Sequence, residues 1–254
     1  MPDPSMFSRF TVLLLLLACT SGAWADGLYA GVRLGHARVD VKHDKDVFYN
    51  AGVLDAHPGG SHTSDSDTQE DSINSLSAVL GYRTSLGANT WVSAEMAGSA
   101  YSGSVRGFLK GSYRGGSTPV PSEQVFPGAW KAEKDHSFEI HTRLGYVLGG
   151  HRSVYLLAGL AWLQTTMRTS FDNLASEGAI IRGTSRKTRS TTPWVFGAGL
   201  EFGSGPHRLD VRAQYSSWDI GFSTGDGNAE ESAYVPSGFD AEEIGLTVGY
   251  VRAF

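Results

Sequence analysis

One cysteine, Cys19, occurs in 254 residues, which excludes a disulfide framework and a multi-cysteine metal site. Basic residues are not in excess: Lys and Arg number 21 against 26 Asp and Glu, a formal charge of −5. That balance lacks the electrostatic footprint of nucleic-acid binding, so no nucleic-acid partner is expected. No segment after the N-terminus approaches the ~20 consecutive apolar residues of a membrane helix. What is plentiful is glycine, 32 residues, together with 11% aromatics and without the Gly-X-Y period of collagen. Glycine and aromatics in that combination suggest a barrel, and the length suffices for one domain with a sizeable core.

The N-terminus reads as an address. Arg9 precedes an apolar stretch containing five consecutive leucines, and Ala23-Trp24-Ala25 follows it. A charged start, a short apolar run and an A-x-A end describe a secretory signal over residues 1–25, leaving a domain of residues 26–254. Leu16-Leu17-Ala18-Cys19 also resembles a lipobox, so acylation at Cys19 is an open alternative. Either way the chain is expected to leave the cytoplasm.

Eight stretches with period-two alternation follow. In residues 27–41, Leu28, Ala30, Val32 and Leu34 share one face, with Tyr29, Gly31, Arg33 and Gly35 on the other. Residues 73–84 and 90–104 repeat the pattern with Arg83 and Glu95 on the small, polar face. Residues 136–148 are the clearest: Phe138, Ile140, Leu144, Tyr146 and Leu148 oppose Glu139, His141, Arg143 and Gly145. Residues 153–169 are apolar on both faces and give no orientation. Residues 191–202, 207–222 and the last stretch to Phe254 complete the set, with Glu201, Asp210 and Arg212 on polar faces.

The connections alternate too. Turns of roughly five residues follow the second, fourth and sixth stretches, and polar loops of roughly 20–30 residues follow the others. This predicts an all-β fold: an eight-stranded antiparallel up-and-down transmembrane β-barrel with short periplasmic turns and long extracellular loops. Tyr29, Tyr82, Trp91, Tyr101, Tyr146, Trp162, Trp194, Trp218 and Tyr250 are girdle candidates, each with ordinary strand packing as the alternative. A soluble lipocalin-like barrel would point its large apolar residues inward. Here the polar face holds glycine, serine and charges of both signs, which favours the membrane barrel.

The segments LYAGVRLGHARVD, PWVFGAGLEFGSGPHRLDVRAQYSSWDIGF and EIGLTVGYVRAF resemble the eight-stranded outer-membrane barrels of the OmpA and opacity-protein family. The strongest elements are Gly197 to Glu201, Arg212 to Tyr215 and the terminal Phe254. The resemblance implies a bacterial outer-membrane location. It also implies lipid and lipopolysaccharide as surroundings, and Phe254 as a recognition signal for the barrel-assembly machinery. Arg252 stands where that signal usually has an apolar or aromatic residue. No wall-tethering domain is expected after Phe254.

Three groups of residues are candidates for function. Arg33, Arg83, Glu95, Glu139, His141, Arg143, Glu201, Asp210 and Arg212 are assigned to the lumen by alternation, either as a salt-bridged plug or as a charge-dependent gate for a small porin-like channel. Arg182, Arg186, Lys187 and Arg189 form a basic stretch in the third long loop, a candidate site for lipopolysaccharide phosphates or sulfated host glycans. Its alternative is pairing with the acidic loops, which carry Asp65, Asp67, Glu70 and Asp71 in the first and Asp226, Glu230, Glu231, Asp240, Glu242 and Glu243 in the fourth. His43, His57 and His62 match no metal-ligand spacing, so neither metal nor cofactor is expected. His136 and Ser137 are adjacent in a strand and therefore point to opposite faces, and no His, Ser and acid set falls on neighbouring strands. The reading is a non-enzymatic barrel serving envelope structure and surface interaction.

Overall fold

The computed structural model describes residues 27–49, 62–109, 113–114, 128–149, 151–174, 180–224 and 233–254. The expected signal, Cys19, His57, Asp226, Glu230 and Glu231 lie outside them. Eleven strands run antiparallel: β1 (Gly27–Tyr49), β2 (His62–Ser85), β3 (Thr90–Ser102), β4 (Val105–Leu109), β5 (Tyr113–Arg114), β6 (Gly128–Gly149), β7 (Arg152–Leu174), β8 (Ile180–Thr191), β9 (Trp194–Ser204), β10 (His207–Thr224) and β11 (Ala233–Ala253). They occupy eight positions in a closed ring. β3 and β4 both pair with β6, and β8 and β9 both pair with β7, so each couple is one ring position with a break in it, and β5, which pairs with β2 as β3 does, continues the β3–β4 position. β1 pairs with β11, Tyr29 opposite Ala253, and closes the barrel.

Each break has a local cause. Gly103, between β3 and β4, has φ +119°, and a Cβ there would lie 2.8 Å from the Ser72 carbonyl oxygen. Pro193, between β8 and β9, offers no N–H to the ladder, while its carbonyl accepts from Ala161 N at 3.0 Å.

The strands are longer than the alternation suggested. β1 has 23 residues and β2 has 24, whereas about 9–11 suffice to span a bilayer. Asp65, Asp67, Glu70 and Asp71 lie in β2, Asp240, Glu242 and Glu243 in β11, and the basic stretch forms β8. The expectation of long loops there is corrected: much of each polar stretch is strand. The reason is a reversal of polarity along the barrel. On β1, Leu28, Val32 and Leu34 point outward and are exposed while Arg33 is buried; a few residues on, Val39 and Val41 are buried, and Arg38 and Lys42 are exposed. The half near the short turns is apolar outside and charged inside. The half beyond it has the polarity of a soluble protein.

In the lower half the outer belt includes Leu80, Tyr82, Ile140, Leu144, Tyr146, Leu156, Trp162, Trp194, Phe196, Leu246 and Tyr250. Tyr29, Trp91 and Trp218 are not girdle residues: all three are buried inside, and Tyr101 packs against the inner core. Three lower rings sit opposite glycines on the neighbouring strand: Tyr29 at Gly81, Trp91 at Gly145 and Tyr155 at Gly199. A Cβ on those glycines would approach the facing ring to 2.3, 2.1 and 2.3 Å respectively. The glycine and aromatic content is thus one device, each small residue admitting a large one across the ladder. This also explains why residues 153–169 are apolar on both faces. Tyr155, Leu157, Ala161 and Leu163 point inward against Trp91, Val195 and the upper core, while Leu156, Leu160 and Trp162 meet the outside.

In the upper half, no ladder joins β2 to β4 or β8 to β10 among the described residues. The wall there flattens into two faces, β2-β1-β11-β10 and β4-β6-β7-β8, joined among the described residues by the short β5–β2 ladder, and their inner sides pack together as in a sandwich. Val39, Val41, Ile220 and Phe239 from one sheet pack against Leu109, Trp130, Leu163 and Met167 from the other.

Candidate functional site

The charged side chains of the lower lumen converge from six ring positions. Arg33 on β1 places both terminal nitrogens on Glu95 of β3, at 2.6 and 2.7 Å, and its Nε donates to Asp210 of β10 at 2.9 Å. Arg143 on β6 donates to Glu95 at 3.2 Å and to Glu201 of β9, and lies 3.6 Å from Asp210. Arg212 reaches Glu95 at 3.1 Å and donates to Thr247 of β11 at 3.1 Å. Arg83 on β2 pairs with Glu201 at 2.5 Å. His141 Nε2 is 3.2 Å from Glu139. All nine lumen candidates from the sequence are buried, and the network brings them into one interior.

Glu95 is the hub, shared by three guanidinium groups. Such sharing matters because an ion pair inside a barrel contributes only when most of its hydrogen-bonding capacity is met. The rings supply the rest: Tyr29 donates to Glu95 at 3.0 Å and Tyr155 to Asp210 at 2.5 Å. The Arg83 guanidinium lies 3.6 Å over the Trp91 ring and that of Arg143 lies 3.7 Å over Tyr155, both cation–π distances. Sequence reasoning missed Arg208, buried 3.7 Å from Glu201. Its phase on the strand matches Asp210 and Arg212, so the signal was present, but it lies at the edge of the turn.

Above this network a polar cavity of about 50 Å³ touches Ser77, Ser99, Ser137 and Glu139, room for a water or two. Above the cavity the apolar core fills the space between the sheets. His43 is embedded in it, stacked on Phe239 at 4.1 Å with its Nδ1 donating to the Gly238 carbonyl at 2.9 Å. Burial pushes its imidazole down to about 4, so the ring is neutral at ordinary pH. Asp67 Oδ2 accepts from Trp130 Nε1 at 2.8 Å and Phe108 N at 3.0 Å, and so bridges β2 to the opposite sheet. Among the described residues, no three His, Cys, Asp or Glu side chains are grouped to hold a metal.

The basic stretch lies on β8, whose only ladder partner among the described residues is β7. Alternation separates its described side chains, Arg186 having one phase and Lys187 and Arg189 the other; the Arg182 side chain lies outside the described ones. Arg186 stands opposite Arg168, Arg168 opposite Lys131 of β6, and Lys131 opposite Arg106 of β4. The cations that meet on one face are therefore Arg106, Lys131, Arg168 and Arg186, a row running across four strands. Sequence reading missed three of them because a cross-strand row leaves no mark in any single segment. At the other end, Phe254 N donates to the Leu28 carbonyl at 2.9 Å.

Residues 10–251 match the family model described as the outer membrane protein beta-barrel domain. The chain belongs to this family. It lies in the bacterial outer membrane, and the lower half carries the belt of exposed apolar side chains that suits lipid. No curated protein matches it in sequence. Among solved structures, the chain is similar to the outer membrane protease OmpT from Escherichia coli, at 11% identity over 92% of this chain and 99% of that one, TM-score 0.49. It is similar to Ail, the attachment invasion locus protein of Yersinia pestis, at 16% identity over 87% of this chain and 99% of that one, TM-score 0.30. For Neisserial surface protein A the figures are 13%, 87%, 97% and 0.31.

Proposed function

We propose that this protein is a closed, non-enzymatic barrel that anchors an extracellular interaction head in the outer membrane. The observation that carries this reading is how the interior is filled. Arg33, Glu95, Arg143, Glu201, Asp210 and Arg212 occupy the lumen as one paired network, and the apolar core lies above it. An eight-stranded barrel is narrow enough to be filled in this way. A conducting path would have to break several buried ion pairs and open the sandwich as well.

The head's cationic row favours anionic groups: lipopolysaccharide phosphates, or sulfated glycans approaching from outside. Arginine forks suit such anions. Phe254 fits the assembly-signal role through its place at the closing strand. Protein verified as folded by heat-modifiable gel mobility is expected to leave a planar bilayer silent. Discrete conductance steps that change in Glu95→Gln would overturn the plug in favour of a gated channel. A sulfated polysaccharide column is expected to retain the wild type and to lose Lys131→Glu/Arg168→Glu.

A further inference from the structure

The two outer faces of the head carry opposite charge. On the β4-β6-β7-β8 face, Arg106, Lys131, Arg168 and Arg186 stand in one cross-strand row. Among the described side chains two carboxylates accompany them: Glu133, which pairs with Lys131 at 2.5 Å and Arg168 at 3.5 Å, and Asp135, which accepts from Thr166 at 2.7 Å. Among the described residues Arg106 and Arg186 have no carboxylate partner. On the β2-β1-β11-β10 face, Glu70, Asp40 and Glu242 stand in one row, and Asp240 and Asp219 in the next. Arg38, bonded to Glu70 and 3.9 Å from Asp40, and Lys42, 2.8 Å from Asp44 and opposite Asp240, are the cations on that face among the described residues. Like charges directly opposite on neighbouring strands are destabilising. Each row is therefore relieved when something of opposite sign is laid along it.

The rows also match in height. Among the described side chains, Asp40 lies six residues beyond Leu34, the last outward apolar residue of β1, and Arg168 lies six residues beyond Trp162, its counterpart on β7. With a rise of ~3.3 Å per residue and a tilt near 40°, Asp40 and Arg168 each stand about 15 Å above those residues, while Glu242, in the same row on β11, is two residues beyond the exposed Ile244. The rows face away from each other across the sandwich. A neighbouring copy in the same membrane thus presents the complementary face at the same level.

We propose that the heads associate head-to-tail in the membrane plane, the cationic row of one copy against the carboxylate row of the next. The contact is heterologous, and because the two patches lie on opposite sides of the head it propagates as an open chain rather than a closed pair. This rests on the reading of the head as an interaction module and names a second copy of the chain as the partner. A free polyanion would need the cationic row alone; a second copy uses both rows.

The test reconstitutes the protein into phosphatidylcholine vesicles and applies a zero-length carbodiimide cross-linker. Wild type is expected to give a ladder of oligomers at low salt, with peptides joining Lys131 to Asp40, Glu70 or Glu242, and to lose it at 0.5 M salt. Two reversals follow, Lys131→Glu/Arg168→Glu/Arg186→Glu and Asp40→Lys/Glu70→Lys/Glu242→Lys. Association is read by Förster transfer between copies dyed at Ser204→Cys, on the periplasmic turn. Each reversal alone is expected to lower transfer at least fivefold, and an equal mixture of the two to restore it to within twofold. The neutral variant Asp40→Asn/Glu242→Gln provides the same comparison with a smaller change in charge. Absence of transfer in wild type, or unchanged transfer after loss of the carboxylate row, would overturn the proposal. The carboxylate reversal is expected to keep its retention on a sulfated polysaccharide column, so failure of self-association is distinguishable from failure of the anion-binding reading.

Discussion

The membrane half and the extracellular head are built from the same strands, yet they stabilise themselves in opposite ways. In the membrane half β1 turns Leu28, Val32 and Leu34 to lipid and Arg33 to the interior, where Glu95 and Asp210 meet it. In the head the same strand turns Val39 and Val41 inward and Arg38 and Lys42 outward. Lipid supplies no hydrophobic driving force for folding the inside of a barrel, so the lower interior is held by paired charges and fitted rings. Water surrounds the head, so burial of apolar surface becomes the main favourable term there. What changes at the boundary is the solvent, and the backbone continues through it as strand on β1, β2, β6, β7, β10 and β11, with a shift of register at Asp135 on β6.

Substitutions that act on one half and spare the other would break this comparison or sharpen it. The largest effect is expected in the lumen. Glu95→Ala leaves three buried guanidinium groups short of a shared carboxylate and should lower the unfolding free energy by about 3–5 kcal/mol, measured by urea unfolding in detergent. A loss below 1 kcal/mol would mean that water replaces the network.

Next is the head's response to acid. The unfolded imidazole of His43 titrates near 6.5 and the folded one at about 4. The stability contributed by the neutral ring is therefore complete above pH 6.5 and declines as pH falls toward 4, by a total on the order of 3 kcal/mol. Protection against hydrogen exchange, taken relative to the intrinsic rate at each pH, should fall at β1 residues 37–45 over that interval and stay constant at residues 28–34, and His43→Phe should remove the difference. An equal fall in both halves would show that they unfold as one unit.

The smallest effect compares two outward positions on one strand. Val32→Arg puts a charge in lipid and should cost about 2 kcal/mol or more. Arg38→Leu, six residues on and in water, should stay within about 1 kcal/mol. Equal costs at the two positions would move the membrane boundary.

The lower half was legible because its two faces differ in kind at every step. The alternation of Phe138, Ile140 and Leu144 against Glu139, His141 and Arg143 orients a strand without any partner. The head was less legible. Its inward residues on β8 and the start of β2 are mostly polar, and with the apolar face reversed, a stretch such as residues 62–72 reads as a loop. The girdle assignment failed for Tyr29, Trp91 and Trp218 because an aromatic residue suits a lipid interface and a fitted interior equally well. Only the glycine across the ladder distinguishes the two uses.

By itself the sequence determined the barrel, its eight ring positions and the inward phase of its charges, since alternation and turn chemistry are local and survive without knowledge of what lies opposite. The tertiary structure decided which charges meet. Arg33 reaches Asp210 across 177 residues and Glu95 across 62, and the cationic row crosses four strands at one register. Such partners are set by ladder register and closure of the ring, properties of strand pairing that no single strand contains.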